Sequence, residues 1–186
     1  MSASTHPGLT VADLDVMPDD GKRYELIAGE LYVSRAPHLV HQAAIGNLHH
    51  ALRSYLTDHP LGRVFLEVGL ILTEHDAVIP DLLFITNDRF HGAVSGGKFV
   101  EAPDLVVEVL SSGTENERRD RSVKRHLYGK FGVREYWIAN RDLAILEVYE
   151  LKEAGLELTA TLGGRDTLTS ALLPGFGIRV ESIFEV

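Results

Sequence analysis

The sequence predicts an α/β (α+β) fold with a mixed central β-sheet flanked by helices. Two observations predict this class: short strand patterns recur along the chain, and helical patterns separate them at two places. The chain has 186 residues, of which 45% are hydrophobic and 24% charged, as is typical of a globular protein with a sizeable core. Because no repeat or linker interrupts it, we expect a single domain over residues 1–186, with residues 1–10 flexible.

The first half of the chain carries both kinds of pattern. Residues 23–34, RYELIAGELYVS, alternate between apolar and polar and have Ala28-Gly29 at their centre, which predicts a β-hairpin. Apolar residues within 38–57 recur at helical spacing, which predicts a long helix. We also expect a short helix over residues 10–17 and strands over residues 63–74 and 78–86, joined by the turn EHDAV.

The second half begins with a polar, glycine-rich loop over residues 87–101, followed by a buried strand over residues 105–111. A helix should begin at Ser112 or Thr114, which are capping residues, and end before Gly132. Further strands are predicted for EYWIAN, AILEVYEL and LELTATL, and the tail LLPGFGIRVESIFE reads as a turn and a short amphipathic piece.

Charge and cysteine content narrow the functional classes. The net charge of −9 argues against a protein that coats nucleic acid nonspecifically, although residues 118–134 hold seven Lys or Arg against one acid, Asp120. A solvated helix face and a phosphate-binding face both fit that basic stretch. The absence of cysteine excludes disulfides and thiolate metal sites and fits a reducing cytoplasm. We find no signal peptide and no membrane span.

Glu108 is the first candidate for chemistry, because it lies inside the apolar run LVVEVL. An isolated charge in a buried strand costs several kcal/mol unless it is paired or bound to a metal. Asp81, at the start of another predicted strand, can converge with Glu108 if the two strands are neighbours. Two carboxylates with waters suit Mg²⁺ or Mn²⁺, and a hydrogen-bonded structural pair is the alternative.

Asp104 is a second acid that follows a proline, as Asp81 does. Asp104 and Glu108 share one strand face, but four residues of extended chain separate them by about 13 Å. The two cannot ligate one ion. We therefore expect Asp104 to open the strand and Glu108 to carry the chemistry.

Asp120 and Lys124 lie on the apolar stripe of the helix that follows, together with Leu127 and Phe131. Charges that face the sheet need a partner there. Lys124 either forms a simple ion pair with Asp120 or reaches the carboxylates and steadies an anion beside them. Three arginines of the same helix turn toward solvent or a ligand: Arg118, Arg121 and Arg125.

Four segments, in order, carry a resemblance to a known family: YELIAGELYV, VIPDLLFI, APDLVVEVLSSGT and DRSVKRHLYGKFGVREYWIAN. The chain resembles the putative restriction endonuclease family of bacteria, within the PD-(D/E)XK nuclease superfamily. The resemblance runs from about Tyr24 to the C-terminal PGFGIRVESIF. It implies a restriction-endonuclease-like fold and hydrolysis of phosphodiester bonds in DNA that depends on Mg²⁺ (or Mn²⁺).

The resemblance also implies roles for single residues. Asp81 is similar to the Asp of the PD motif and Glu108 to the acid of (D/E)XK, both as metal ligands. Two residues after Glu108, where the superfamily usually has Lys, this chain has Leu110. The resemblance implies that Lys124 replaces the missing lysine from the next helix, which is the residue that the apolar stripe also singles out.

Three further residues complete the expected site. Glu25 matches another acid of the family pattern and would add to the metal shell, and a backbone carbonyl at Val109 or Leu110 would be a third ligand. His41 matches a family position, with a catalytic role and a core role both open. Arg118, Arg121 and Arg125 would then bind DNA phosphates.

Two other functional classes stay open on the sequence alone. One is a nuclease fold whose site has decayed and which binds nucleic acid or protein. The other is a pair of glycosidase-like carboxylates, which would not need Lys124. Because cutting both strands of DNA usually takes two active sites, we expect a homodimer.

Overall fold

The computed structural model of the chain describes residues 8–34, 36–111 and 113–186. Its strands are β1 (Arg23–Ile27), β2 (Glu30–Ser34), β3 (Gly62–Leu66), β4 (Leu70–Thr73), β5 (Asp76–Val78), β6 (Leu82–Thr86), β7 (Val94–Ser95), β8 (Lys98–Phe99), β9 (Leu105–Val109), β10 (Glu135–Asn140), β11 (Ile145–Lys152), β12 (Gly155–Gly163), β13 (Thr167–Ser170) and β14 (Leu173–Arg179). Its helices are α1 (Val11–Leu14), α2 (Leu39–Asp58), α3 (Asn87–Ala93), α4 (Thr114–Arg118), α5 (Arg125–Lys130) and α6 (Val180–Ile183), with a π-helical segment, Arg119–Lys124, between α4 and α5.

In the described part of the chain these strands form two six-stranded sheets and one hairpin, β13–β14. The central sheet has the order β12-β11-β10-β9-β6-β3, and the second sheet has the order β2-β1-β5-β4-β8-β7. Both are mixed, with the parallel pairs β9–β10 and β4–β8. The crossover between β9 and β10 is the helical stretch from α4 to α5. The predicted mixed sheet flanked by helices is therefore confirmed.

Strand alternation divides the core between the two faces of the central sheet. Val107 and Val109 of β9 pack in one cluster with α2, and Val106 lies in the other cluster with Tyr128 of α5 and with strands of the second sheet. Glu108 is on the same face of β9 as Val106. The acid therefore points between the central sheet, the second sheet and the α4–α5 stretch.

Two glycines mark turns that the sequence predicted. In the β1–β2 hairpin, Ala28 and Gly29 both have positive φ, 52° and 75°, as a two-residue type I′ turn requires. Gly132 has φ 84° just beyond α5 and ends that helix. The predicted long helix is α2, while the predicted short helix is confined to α1. Ser112, one of the two predicted capping residues, lies outside the described residues.

The predicted strand over residues 63–74 is wrong as one element, because β3 belongs to the central sheet and β4 to the second sheet. Glu67 lies between them with φ 48°, a left-handed conformation that turns the chain from one sheet to the other. Residues 78–86 are likewise divided: they take in the end of β5 and all of β6, separated at Pro80, which has no N–H for a ladder.

Two predicted loops also contain regular structure. The turn EHDAV is shorter than predicted, because β5 begins at Asp76. The predicted loop over residues 87–101 contains α3 and the hairpin β7–β8.

At the N-terminus, residues 1–7 of the segment predicted to be flexible lie outside the described residues, and Leu9 donates a backbone hydrogen bond to Gly29 at 2.9 Å. No helix of the described ranges is long and apolar enough to cross a membrane.

Candidate metal-dependent active site

Asp81 and Glu108 meet across two neighbouring strands of the central sheet. β6 and β9 are antiparallel with Leu82 opposite Val107, so one further step places Asp81 opposite Glu108. The backbone N–H of Val109 donates to Asp81 Oδ2 at 2.8 Å, which ties the two strand ends together. Each acid is only 3% exposed. The sequence pattern indicated both residues, and the sheet register explains why they converge.

Lys124 reaches this pair of acids from the π-helical segment. Its Nζ lies 2.9 Å from Oε1 of Glu25 and 2.9 Å from Oε1 of Glu108. Lys124 is 1% exposed and Asp120 2% exposed, as their place on the apolar stripe predicted. Leu110, which follows Glu108 at the position usual for the superfamily lysine, is buried in the adjoining hydrophobic cluster.

A side chain of the central sheet donates a hydrogen bond to the backbone of the π-helical segment. The hydroxyl of Tyr136, on β10, donates to the backbone carbonyl of Asp120 at 3.0 Å. A π-turn disturbs the regular hydrogen-bond ladder of a helix, so an outside donor to a carbonyl helps to hold it. Such turns occur frequently at functional sites. Here the turn contains both buried charged residues of the helix.

β1 contributes Glu25 and Arg23, which alternate onto one face of the second sheet. Glu25 Oε1 also accepts the backbone N–H of Ile79 at 2.8 Å, just before Asp81 in the chain. Arg23 Nη1 donates to Asp81 Oδ1 at 3.0 Å, and its other arm pairs with Glu67. Strand β1 therefore adds one acid and one cation to the site.

His41, on α2, approaches the site from the other face of the central sheet. Its Nε2 lies 3.3 Å from Asp81 Oδ2, and the residue is 4% exposed. Its Nδ1 is buried and has no hydrogen-bond partner among the described residues. The structure thus brings His41 to the predicted site through Asp81, while its role stays a prediction.

These side chains surround a cavity of about 30 Å³. A volume of this size admits a water molecule or a small ion. Its wall contains four carboxylates and three cations. The carboxylates are Glu25, Asp81, Glu108 and Asp120, and the cations are Arg23, Arg119 and Lys124. The acids therefore outnumber these cations by one, and His41 also lines the cavity.

The environment moves the pKa values of these acids in different directions. Burial raises the pKa of Glu108 to about 8, because Lys124 offsets only part of the cost and Asp81, Asp120 and Glu25 add to it. Burial also raises the pKa of Asp120. Burial alone would raise the pKa of Asp81, but contacts with His41 and the Val109 N–H hold it below its usual range. A pKa of about 8 means that Glu108 is mostly protonated at neutral pH, and this proton offsets the surplus acid of the site.

The cations of the site keep their charge. Burial tends to lower the pKa of Lys124, but Glu108, Glu25 and Asp120 raise it above its usual range. The same carboxylates hold the pKa of Arg119 high. Tyr128, whose hydroxyl donates to Glu108 Oε1 at 2.9 Å, has a pKa raised well above the usual range by burial.

The donor set fits a hard divalent cation. No three His, Asp or Glu side chains of the described ranges form a ready-made metal site. Mg²⁺ does not require one, because it keeps several waters and binds through one or two carboxylates and a substrate phosphate. The N–H of Val109 faces Asp81, and the carbonyl of a strand residue leaves the strand on the same edge as its N–H. Asp81, Glu108 and the Val109 carbonyl thus offer oxygen ligands, and a dication would neutralise the surplus acid.

Arg119 is the cation that sequence reasoning missed. Its Nη1 donates to Ser34 Oγ at 3.0 Å and its Nε to Asp120 Oδ1 at 3.1 Å, and it lines the cavity. One residue before Asp120, it lies about 100° round the helix, at the edge of the apolar stripe near Val123. This position at the edge of the buried stripe is the sequence signal that could have identified Arg119 as a residue of the site.

The three arginines predicted to bind DNA lie elsewhere on the helix. Arg121 is held by Glu117 and Glu147, and Arg125 lies 5.3 Å over the ring of Tyr149. Arg118 is exposed. Contact of these three residues with phosphates stays a prediction. Of the four arginines of this helical stretch, Arg119 is the one that lines the cavity.

Comparisons with known proteins agree with the fold. The sequence model of one family, Uma2, described as "Putative restriction endonuclease", matches residues 11–181. No curated protein matches the chain. A similar solved structure is described as a putative nuclease belonging to DUF820 from Anabaena variabilis ATCC 29413. It is 18% identical to the chain, with a TM-score of 0.76, and the match covers 95% of this chain and 97% of the other.

Proposed function

We propose that this chain, which belongs to the Uma2 family of putative restriction endonucleases, is a metal-dependent endonuclease that hydrolyses phosphodiester bonds in DNA. The family and the nuclease-like fold support nuclease activity in general. The finer proposal concerns the substrate, the metal and the residues. It places the site in the PD-(D/E)XK class with a displaced lysine.

One observation carries the proposal: Asp81, Glu108 and Lys124 surround one small cavity although they come from the residue before β6, from β9 and from the π-helical segment. A structural ion pair would not need the additional buried acids Glu25 and Asp120. Burying four carboxylates against three cations is costly for the folded protein. A dication would remove that cost, and its ligands would be the groups that the sequence pattern selected.

Each residue then has a definite task. Asp81, Glu108 and the Val109 carbonyl would hold Mg²⁺ or Mn²⁺, which supplies a Lewis acid for the phosphate and lowers the pKa of a bound water. Lys124, held by Glu25 and Glu108, keeps a positive charge beside the place where the phosphate gains negative charge. His41 orients Asp81 by its contact with Oδ2.

DNA would approach from the side of the basic helical stretch. Arg119 lines the cavity, and Arg118, Arg121 and Arg125 lie on the same stretch of helix, where they would contact flanking phosphates. Such contacts position a backbone without reading its sequence. A homodimer would supply the two sites that cleavage of both strands requires.

Nicking of supercoiled plasmid tests the proposal. Wild-type protein with Mg²⁺ or Mn²⁺ should convert the plasmid to open circles, and Asp81→Ala should not. Asp58→Ala, which removes an exposed acid of α2, is the matched control and should cut like the wild type. Nicking by Asp81→Ala at the wild-type rate would contradict the site. Absence of nicking by folded wild type with either metal would favour the alternative of a decayed module that binds nucleic acid or protein.

A further inference from the structure

Two donors hold the same oxygen of Glu108. The hydroxyl of Tyr128 donates to Oε1 at 2.9 Å, and Lys124 Nζ donates to the same atom at 2.9 Å. Among the described residues, no donor binds Oε2. Both donors come from the helical stretch below the cavity, while Glu108 itself comes from β9.

This one-sided arrangement restricts how Glu108 can present its carboxylate. The terminal torsion of a glutamate is broad and roughly two-fold, so its carboxylate can otherwise exchange its two oxygens freely. Two donors fixed in the core select one oxygen and leave the other for a ligand. Glu108 lines the cavity, so Oε2 is the oxygen available there.

Tyr128 is suited to this task because the packing of its ring in the core does not require the hydroxyl. The residue is 0% exposed, and its ring packs against Tyr136 edge to face with centroids 5.2 Å apart. Its hydrophobic neighbours therefore stabilise it without the hydroxyl. The hydroxyl could be satisfied by any buried acceptor, and here the acceptor is the buried acid of the site.

We propose that Tyr128 is a positioning residue of the metal site, whose hydroxyl fixes Glu108 so that Oε2 faces the bound cation. This inference rests on the proposed function, and it adds a residue that neither the motif nor the cavity lining contains. Partners that orient a ligand typically change metal affinity by 10–100-fold when they are removed.

Tyr149 provides a matched control. It is the third member of a row of buried tyrosines, with its ring 6.0 Å from that of Tyr136. Its hydroxyl also donates to a carboxylate, Glu147 Oε2, at 2.8 Å. Glu147 does not line the cavity. Tyr149→Phe therefore removes the same chemical group, with the same kind of partner, away from the metal site.

The experiment is titration of Mn²⁺ into wild type, Tyr128→Phe and Tyr149→Phe by calorimetry, with the melting temperature of each metal-free protein. We expect Tyr128→Phe to weaken Mn²⁺ binding about tenfold or more and Tyr149→Phe to leave it within about twofold. Wild-type affinity in Tyr128→Phe would overturn the inference while leaving the proposed function in place. Wild-type protein that binds no Mn²⁺ would overturn both.

A double-mutant cycle separates positioning from general loosening of the fold. In a Glu108→Ala background the acceptor of the Tyr128 hydroxyl is gone, so adding Tyr128→Phe should weaken the remaining Mn²⁺ binding no further. An equal loss in that background would mean that Tyr128 acts through something other than Glu108, and would contradict the inference. This comparison holds even if Tyr128→Phe lowers the melting temperature.

Discussion

Asp81 and Asp104 make an instructive comparison, because each follows a proline and each precedes a strand of the central sheet. Asp104 is 0% exposed, and its Oδ2 accepts the backbone N–H and the hydroxyl of Thr86 at 2.9 and 3.1 Å. Its Oδ1 pairs with Arg89 at 2.8 Å. Asp81 is buried to a similar degree but borders a cavity that it shares with Glu108 and two further acids.

The difference lies in what surrounds each carboxylate. Asp104 is satisfied by fixed donors that tie β9 to β6 and α3, so its charge is compensated within the fold. Asp81 also has fixed donors, Arg23 and the Val109 N–H, but it borders a cavity in which acids outnumber the lysine and arginine side chains. A proton or an added cation would compensate that surplus. We therefore propose that the same dipeptide serves structure at Asp104 and chemistry at Asp81.

The largest expected effect is on cleavage by Asp81→Ala. We expect plasmid nicking with Mn²⁺ to fall by at least about 100-fold, because the metal would lose one of its two proposed carboxylate ligands. The loss of unfolding free energy should be smaller than for Asp104→Ala, about 1–2 kcal/mol, because the lost contacts with Arg23 and the Val109 N–H are partly offset by relief of repulsion with Glu108. Urea denaturation beside the nicking assay checks both parts. A folded variant that still nicks would remove Asp81 from the site.

Asp104→Ala should show the reverse pattern. It leaves Arg89 and the Thr86 N–H without their partner, so we expect the protein to lose about 3 kcal/mol of unfolding free energy. Urea denaturation measures this loss. Cleavage per folded molecule should be retained at low temperature. A variant with wild-type stability and no activity would reverse the roles assigned to the two aspartates.

Lys124→Met tests the same balance of charge by removing a cation from the site in place of an acid. The site then has four acids against two cations, and we expect the metal-free protein to lose about 2 kcal/mol, because protonation of Glu108 limits the damage. Turnover should be slower. Mn²⁺ should raise the melting temperature more in this variant than in the wild type, since it replaces the lost charge. An equal rise in both proteins would show that Lys124 and the metal do not share one set of acids.

Per pH unit, the pH dependence of stability is the smallest expected effect. Because burial raises the pKa of Glu108 to about 8, the folded state holds a proton there that the unfolded state releases near pH 4.5. Metal-free wild type should therefore lose stability as the pH rises from 5 to 8, by up to about 1 kcal/mol per pH unit. Glu108→Gln should show a shallower slope in urea denaturation at several pH values. Parallel slopes would exclude Glu108 as the group that titrates.

Much of the fold and of the candidate site could be predicted from the sequence, for definite physical reasons. A charge inside an apolar strand is conspicuous, and helical periodicity alone is enough to place Lys124 on the buried face of its helix. The hairpin and α2 followed from local pattern and turn chemistry. Membership of the family and the fold class are confirmed.

Other features depend on contacts that no local pattern contains. The left-handed backbone conformation of Glu67 ends β3 although the apolar and polar residues continue to alternate past it. This alternation also does not indicate which sheet a strand joins. The π-helical segment changes the helical angle per residue, so helical periodicity placed Arg119 at the edge of the apolar stripe without showing that it reaches the cavity. The hydrogen bonds of Tyr128 and Tyr136 to Glu108 and Asp120 form only when β9, β10 and the helical stretch pack together.

Calorimetric titration of Mn²⁺ into wild type, Asp81→Ala and Asp104→Asn tests the central claim most directly. The comparison of the two aspartates predicts a site in the wild type that is lost in Asp81→Ala and kept in Asp104→Asn, each variant being shown to be folded at the temperature of the titration. Equal binding by wild type and Asp81→Ala, or loss of binding in Asp104→Asn alone, would contradict it.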